Sequence, residues 1–312
     1  MILKKRSPFF EVFKKYAFVI GFLSISLIHF AIFWVYINFD TIRLTFYSFD
    51  PMRRVYFWNN FQNYKNLLEN IFDPVKRDIF QVNSFKNTFR ALIINIIIFP
   101  LALIVAYAFY KKIPGTKTFR VIFYLPSIVS IVILCTAYKA MLRAETGPVW
   151  LIAQKLGCER EFLADLKTVW PFIYFFCIIN GMGTNVILMA SSMLRIPNEI
   201  SESSRLDGCG FFRELFYITV PCIMPTITTW MTMIFTSVFG FYIQPMLLAP
   251  GIANGITSTI PMQIFQAAEA GSSNVNALIG AATSGIFLSV FMLPWVLIMR
   301  FVMKKLTPEV TY

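Results

Sequence analysis

Six apolar runs divide this chain, at residues 16–39, 88–110, 119–142, 170–195, 216–248 and 277–303. Crossing a hydrocarbon core of about 30 Å takes about 20 helical residues, so each run is long enough to span. The expected fold is an all-α membrane protein with six transmembrane helices. The fifth run is longer than one span needs and holds Pro221, Pro225 and Pro245, so its ends lie outside the core or the helix tilts. Residues 1–15, with Phe9, Phe10 and Phe13 among Lys14 and Lys15, read as a cytoplasmic interfacial helix. Residues 16–312 show no repeat or separate soluble domain and read as one transmembrane domain. Two long loops separate the runs. In the first, FWNNFQNYKNLLEN is expected to be partly helical; the second, 143–169, carries an amphipathic patch, WLIAQKLG.

Composition agrees with lipid as the solvent. The chain is 57% hydrophobic and 14% charged, where a soluble domain carries about a quarter charged residues. The net charge of +12 could point to nucleic acid, but its distribution points to membrane topology. Lys4, Lys5, Arg6, Lys14 and Lys15 precede the first run; Lys111, Lys112, Lys117 and Arg120 lie in a short loop; Arg300, Lys304 and Lys305 close the last. Six spans put all three groups on one side, so both ends are expected in the cytoplasm. The first run is too long for the core of a signal peptide and is kept as a span. Cys135, Cys158, Cys177, Cys209 and Cys222 form no CxxC pair and read as small core residues. The single histidine, His29, lies in the first span, where a helix contact is its ordinary role. Arg90 and Lys139 sit near span ends and are expected to extend toward water.

One stretch breaks the oily pattern. Between the fourth and fifth runs, IPNEISESSRLDGCGFFREL carries Glu199, Glu202, Asp207 and Glu214 against Arg205 and Arg213. Asn198 can cap a helix there, and Glu199 and Glu202 suit its positive end. Glu202 and Arg205 are spaced to pair, Ser203 and Ser204 let a partner approach closely, and Gly208 is a natural stop. The physics predicts a short polar helix parallel to the cytoplasmic membrane face. It fits a docking element and an ordinary solvated connector equally.

The segment EISESSRLDGCGFFRELFYITVP resembles the Glu-Ala-Ala loop of ABC importer permeases. That pattern is Glu-Ala-Ala, three residues, Gly, nine residues, then Ile-x-Leu-Pro. Glu202 takes the Glu position, Gly208 the Gly, and Ile218 to Pro221 the final group. Ser203 and Ser204 replace the alanines, Val220 replaces Leu, and Cys209 stands where a small residue is usual. Ile196 to Glu199, Asp207-Gly208, NNFQNYKNLL, SFKNTFRALI and YLPSIVS are similar to the carbohydrate, maltose-type branch. The C-terminal KKLTPEVTY departs from the second permease type, so the first type is implied.

The resemblance implies a prokaryotic inner-membrane importer. A cytoplasmic ATPase dimer would bind the polar helix through Glu199, Glu202, Ser203, Ser204, Arg205, Asp207 and Gly208. It also implies a second permease subunit, as a heterodimer, and an extracytoplasmic substrate-binding protein that delivers carbohydrate. ATP would be used by the partner, since the sequence holds no GxxxxGK loop and no cofactor is expected on this chain. A sugar path needs hydrogen-bonding groups and aromatic faces. Candidates are Asn180 and Asn185 in the fourth run, Trp230, Tyr242 and Gln244 in the fifth, and Asn95 in the second. For Asn180 and Asn185, path lining and helix packing stand as equal alternatives. A permease for another small solute such as a polyamine, or a membrane scaffold that binds a signalling partner, are the rival functions.

Overall fold

The computed structural model describes residues 8–157, 160–250 and 255–306. Helix α1 (Pro8–Phe30) passes through a π-helical segment, Ala31–Tyr36, into α2 (Ile37–Leu44). Residues 8–15 of the expected interfacial segment are the opening turns of α1; residues 1–7 lie outside the described residues. A hairpin follows, with β1 (Tyr47–Asp50) antiparallel to β2 (Val55–Trp58). Aromatic pairs across it, Tyr47 with Trp58 at 5.2 Å and Phe49 with Tyr56 at 5.0 Å between ring centroids, hold the strands together. Then come α3 (Gln62–Phe72), α4 (Ile79–Thr88) and α5 (Arg90–Tyr110).

The third apolar run forms two helices, α6 (Thr116–Ile128) and α7 (Ile131–Leu142), bent by 103°. Val129 and Ser130 between them leave the helical conformation. Helix α8 (Pro148–Lys155) covers the amphipathic patch, α9 (Val169–Met193) the fourth run, and α10 (Asn198–Leu206) the polar insert. The fifth run is broken as well. Helix α11 (Phe211–Glu214) leads through a π-helical turn, Leu215–Thr219, into α12 (Val220–Cys222), and α13 (Met224–Ser237) departs at 81°. Pro225 explains the bend, since it has no N–H to give the carbonyl of Pro221 one turn back, and Ile223 between the two helices leaves helical geometry. Helix α14 (Ile243–Leu248), α15 (Ile260–Ala270) and the long α16 (Val275–Leu306) complete the chain.

Four helical stretches among the described residues are long and apolar enough to cross a membrane: Gly21–Leu44, Ile79–Tyr110, Val169–Met193 and Val275–Leu306. With each bent pair counted as one span, the number rises to six. The core forms around α5. Ala91, Ile94, Ile98, Ala102 and Ala106 recur every three or four residues, and each is at most 3% exposed. Their main neighbour is α9, where glycines permit the approach. A Cβ at Gly181 would stand 2.8 Å from Ile98 Cδ1, and one at Gly183 2.4 Å from the Phe123 carbonyl oxygen of α6.

Polar side chains fasten the far end of this core. Buried Asn87 donates through Nδ2 to the carbonyls of Gly255 at 3.3 Å, Ile256 at 2.7 Å and Ser258 at 2.9 Å. The Thr88 hydroxyl accepts the Ile260 N–H at 2.9 Å, and the Trp170 indole donates to the Ile256 carbonyl at 3.0 Å. Arg90 turns inward rather than snorkelling. Its Nε donates to Asn87 Oδ1 at 3.0 Å, Nη1 donates to the Tyr174 hydroxyl at 2.8 Å, and the guanidinium lies 4.2 Å from the Trp170 ring. Replacing Asn87 with Ala removes one donor from each of three carbonyls and the acceptor of Arg90 Nε; Gly255 and Ile256 keep a second donor, from the Ser258 N–H and the Trp170 indole. The substitution is expected to cost about 1–3 kcal/mol, seen as a lower melting temperature in detergent and faster proteolytic clipping between Ala249 and Thr259.

Candidate functional site

Helix α10 has two faces. Ile200, Ser201 and Ser204 turn inward: Ser204 is 2% exposed and Ile200 packs against the main core. Glu199, Glu202, Ser203 and Leu206, spaced three and four apart, share the opposite face, and all are exposed. Asn198 is the first residue of the helix rather than the cap before it. The far end closes as expected. Gly208 takes φ +76°, and the Cys209 N–H donates to the Ser204 carbonyl at 3.0 Å, the bond that ends a helix through a left-handed residue. The expected Glu202–Arg205 pair falls outside the described side chains.

What holds α10 is a buried polar triad. Lys111, just past the end of α5, donates from Nζ to Ser201 Oγ at 2.8 Å and to Glu214 Oε1. Ser201 Oγ in turn donates to Glu214 Oε1 at 3.0 Å. The Lys111 and Glu214 side chains are 10% and 4% exposed. The Lys111 ammonium also sits at the negative end of the α5 dipole, 5.6 Å from the Tyr107 ring. The Phe211 ring meets Tyr107 edge-on at 4.6 Å, closing the apolar wall of the site.

Three of these groups, Ser201, Lys111 and Glu214, do not stand out in the sequence. Their signal is an opposite charge at the end of each of two apolar runs, Lys111 in YKKIPG and Glu214 in FFRELFY. Leu206 is a fourth. It is 90% exposed at the tip of α10, a lone apolar side chain on an acidic face. Asp207 and Gly208 extend that surface. The outcome is an acidic, apolar-tipped helix whose other face is fixed to two spans. The bonded face ties α10 to α5 and α11 through Lys111 and Glu214.

The expected path residues make separate contacts. Asn185 donates to the Gly181 carbonyl of its own helix at 2.8 Å, and its Oδ1 accepts from the Trp230 indole. Trp230 is 2% exposed and stands 4.7 Å from the Phe99 ring. Asn95 donates to the Ala91 carbonyl at 2.8 Å and to Ser237 Oγ at 3.0 Å, bridging α5 and α13. Tyr242 stacks on Phe265 at 5.2 Å, and Gln244 Oε1 is buried without a partner among the described residues. Asn180 is half-buried one turn from Asn185 and bonds no described residue.

Two outcomes follow from these contacts. Lys111→Met leaves Glu214 buried and unpaired and is expected to cost about 3 kcal/mol, while Lys111→Met with Glu214→Leu recovers most of it; thermal unfolding in detergent reads both. Asn185→Leu takes the acceptor from a buried indole and is expected to cost about 1–3 kcal/mol in the same assay.

Comparison with known proteins places this architecture. Residues 98–312 match the family described as binding-protein-dependent transport system inner membrane component. The chain is 29% identical over 147 residues to the probable ABC transporter permease protein YurN of Bacillus subtilis, covering 45% of this chain and 50% of that protein. It is 25% identical over 272 residues to the diacetylchitobiose uptake system permease protein NgcF of Streptomyces coelicolor, covering 82% and 74%. The chain thus spans half the length of one relative and about three quarters of the other. Its fold is that of a chain in a bacterial ABC transporter involved in import of the acidic polysaccharide alginate. The TM-score is 0.80 at 22% identity, over 96% of this chain and 99% of that one.

Proposed function

This chain belongs to the inner membrane components of binding-protein-dependent transport systems, and we propose that it is the permease subunit of an ATP-driven importer of carbohydrate. It is a multi-pass membrane protein of a prokaryote. A separate cytoplasmic ATPase supplies the energy, a second permease completes the pathway, and an extracytoplasmic binding protein delivers the sugar. This chain supplies no ATP chemistry of its own.

The observation that carries the proposal is the division of α10 into a fixed face and a free one. Its inner face is bonded to Lys111 and Glu214, while Glu199, Glu202 and Leu206 stand outward, exposed among the described residues. An ordinary connector needs no buried ion pair beneath it. Leu206 fits an apolar socket on the ATPase, and Glu199 and Glu202 fit basic residues at its rim. Closure of the ATPase would push the free face, and the triad would pass the movement to the spans. Mutual complementarity of this kind also selects one ATPase among several in the same cell.

For the substrate path, carbohydrate is supported by the relatedness to a diacetylchitobiose uptake permease and by the uncharged character of the candidate groups. Asn180 is the candidate with an unspent amide. Asn95 and Asn185 hold helices together, and Trp230 is buried between them, so they shape the path from behind. Tyr242 and Gln244 lie beyond the break that ends α13.

The test is an affinity purification of the tagged chain from its native membranes, with co-purifying proteins identified by mass spectrometry. A second permease and an ATPase are expected; a partner set without an ATPase would instead match a scaffold. Leu206→Asp and Glu202→Arg, both on the exposed face, are expected to reduce ATPase recovery and sugar uptake about 30-fold, the loss of a contact worth about 2 kcal/mol. The melting temperature should stay unchanged, since neither side chain is packed.

A further inference from the structure

At the end of the bundle away from α10, the hairpin, α3, α4 and the start of α16 enclose a cavity of ≈ 380 Å³. We propose that it is a saccharide-binding vestibule, distinct from the path between the spans. The proposal rests on the carbohydrate reading above and deepens it by naming a second point of contact.

The lining is polar and, among the described residues, carries no charge. Its chemistry follows from which groups are already spent. Asn63 is structural: its Nδ2 donates to the carbonyls of Thr45 and Tyr47, both at 2.8 Å, folding the hairpin onto α3. Asn66 accepts at Oδ1 from Gln62 at 2.7 Å, which leaves its N–H groups unspent. Asn276 accepts at Oδ1 from the Phe49 N–H at 3.4 Å and keeps both donors as well. Asn70 and Gln81 bond no described residue through their side chains, so each offers both a donor and an acceptor. Thr283 and Ser284 are 2% exposed each. Their hydroxyls donate back to Ile279 and Gly280 at 2.8 and 2.9 Å, which leaves acceptor lone pairs for the cavity.

Donors and acceptors are therefore mixed around a neutral space, with Phe49, Leu67 and Ile279 as apolar wall. An ion would lose its hydration there without a counter-charge, and a lipid tail would desolvate amides with no return. A sugar ring matches both halves of the lining. Its hydroxyls donate and accept alternately, and its C–H face suits an apolar wall. The volume falls within the range of small-molecule sites. The groups also sit on regular elements bound to one another, so the site is preformed.

The experiment is saturation-transfer-difference NMR on the purified full chain in nanodiscs, with maltotriose and N,N′-diacetylchitobiose as probes. One variant, Asn70→Ala with Gln81→Ala, removes two amides. A second, Gly280→Leu, fills the cavity; a Cβ at Gly280 meets nothing within 4 Å, so the helix tolerates the change. Uptake of the same sugars by cells carrying the parent chain is measured in parallel. The expected result is a signal from at least one sugar in the parent and a loss of about tenfold or more in affinity in both variants. An undiminished signal in folded variants overturns the vestibule and places sugar binding elsewhere on the chain. No parent signal, with uptake intact, also overturns it while the importer reading survives. No parent signal and no uptake of either sugar removes both.

Discussion

Lys111 and Glu214 meet where α5 ends, α10 crosses and α11 begins, and the rest of this molecule's working geometry is arranged around that meeting. Each charge is almost fully withdrawn from water. A lone ammonium or carboxylate in that position would be costly, so the two are held together by mutual need, with Ser201 completing the set. The pair stabilises little compared with well-packed hydrocarbon. Its value is positional: a hydrophobic contact can slide, whereas three convergent hydrogen bonds fix α10 at one place and angle beneath the bundle.

The same economy of polar groups runs through the membrane-embedded part. Where lipid supplies no hydrogen bonds, every irregular turn must find partners inside the protein. At the break between α12 and α13, Ile223 is buried and Cys222 and Met224 are half-buried, while Pro225 is exposed. Asn95, Asn185, Ser237 and Trp230 bond across α5, α9 and α13, from the middle of α13 to its end. Bends of this size also separate helix axes, which a straight six-helix bundle would not do. The asparagines tie the bent helices together with hydrogen bonds that lipid cannot supply.

Much of this was legible in the chain as written, and the limits have physical causes. Apolar run length marks where chain can cross a bilayer, and the ends of α5, α9 and α16 fall within a few residues of the runs that announce them. It is silent on the 103° bend at Val129–Ser130, because one serine within an apolar run does not lower the run's hydropathy enough to mark a break. The polar insert was visible as charge density and as the Glu202-to-Pro221 spacing, and Gly208 as a stop. The triad was not, since Ser201 and Lys111 are 90 residues apart and only the packing of α5 against α10 joins them. Leu206 was hidden for the opposite reason. A single leucine in a helix of mean composition suggests burial, and only the placement of Ile200 and Ser204 shows that the core lies on the other side. The hairpin escaped because four-residue strands are too short for alternation to outweigh the polar loop around them.

These observations single out α5 as the structural axis of the proposed mechanism. Its 21 residues, about 31 Å at 1.5 Å each, match the thickness of a bilayer core. At one end Lys111 holds α10; at the other, Asn87 and Thr88, one turn before α5, and Arg90, its first residue, hold the chain from Gly255 to Ile260 and the face of α9. Between them a stripe of small and branched side chains is packed against α9 along its whole length. Pro100 interrupts the backbone ladder at mid-helix, so this packing keeps α5 in place where its own hydrogen bonds do not. In the proposed mechanism a displacement of α10 would pass along α5 to the opposite end, where side chains fasten the loop before α15. Hydrogen bonds of that kind can be exchanged singly, which suits a junction that has to switch between two arrangements while the core beneath it stays intact.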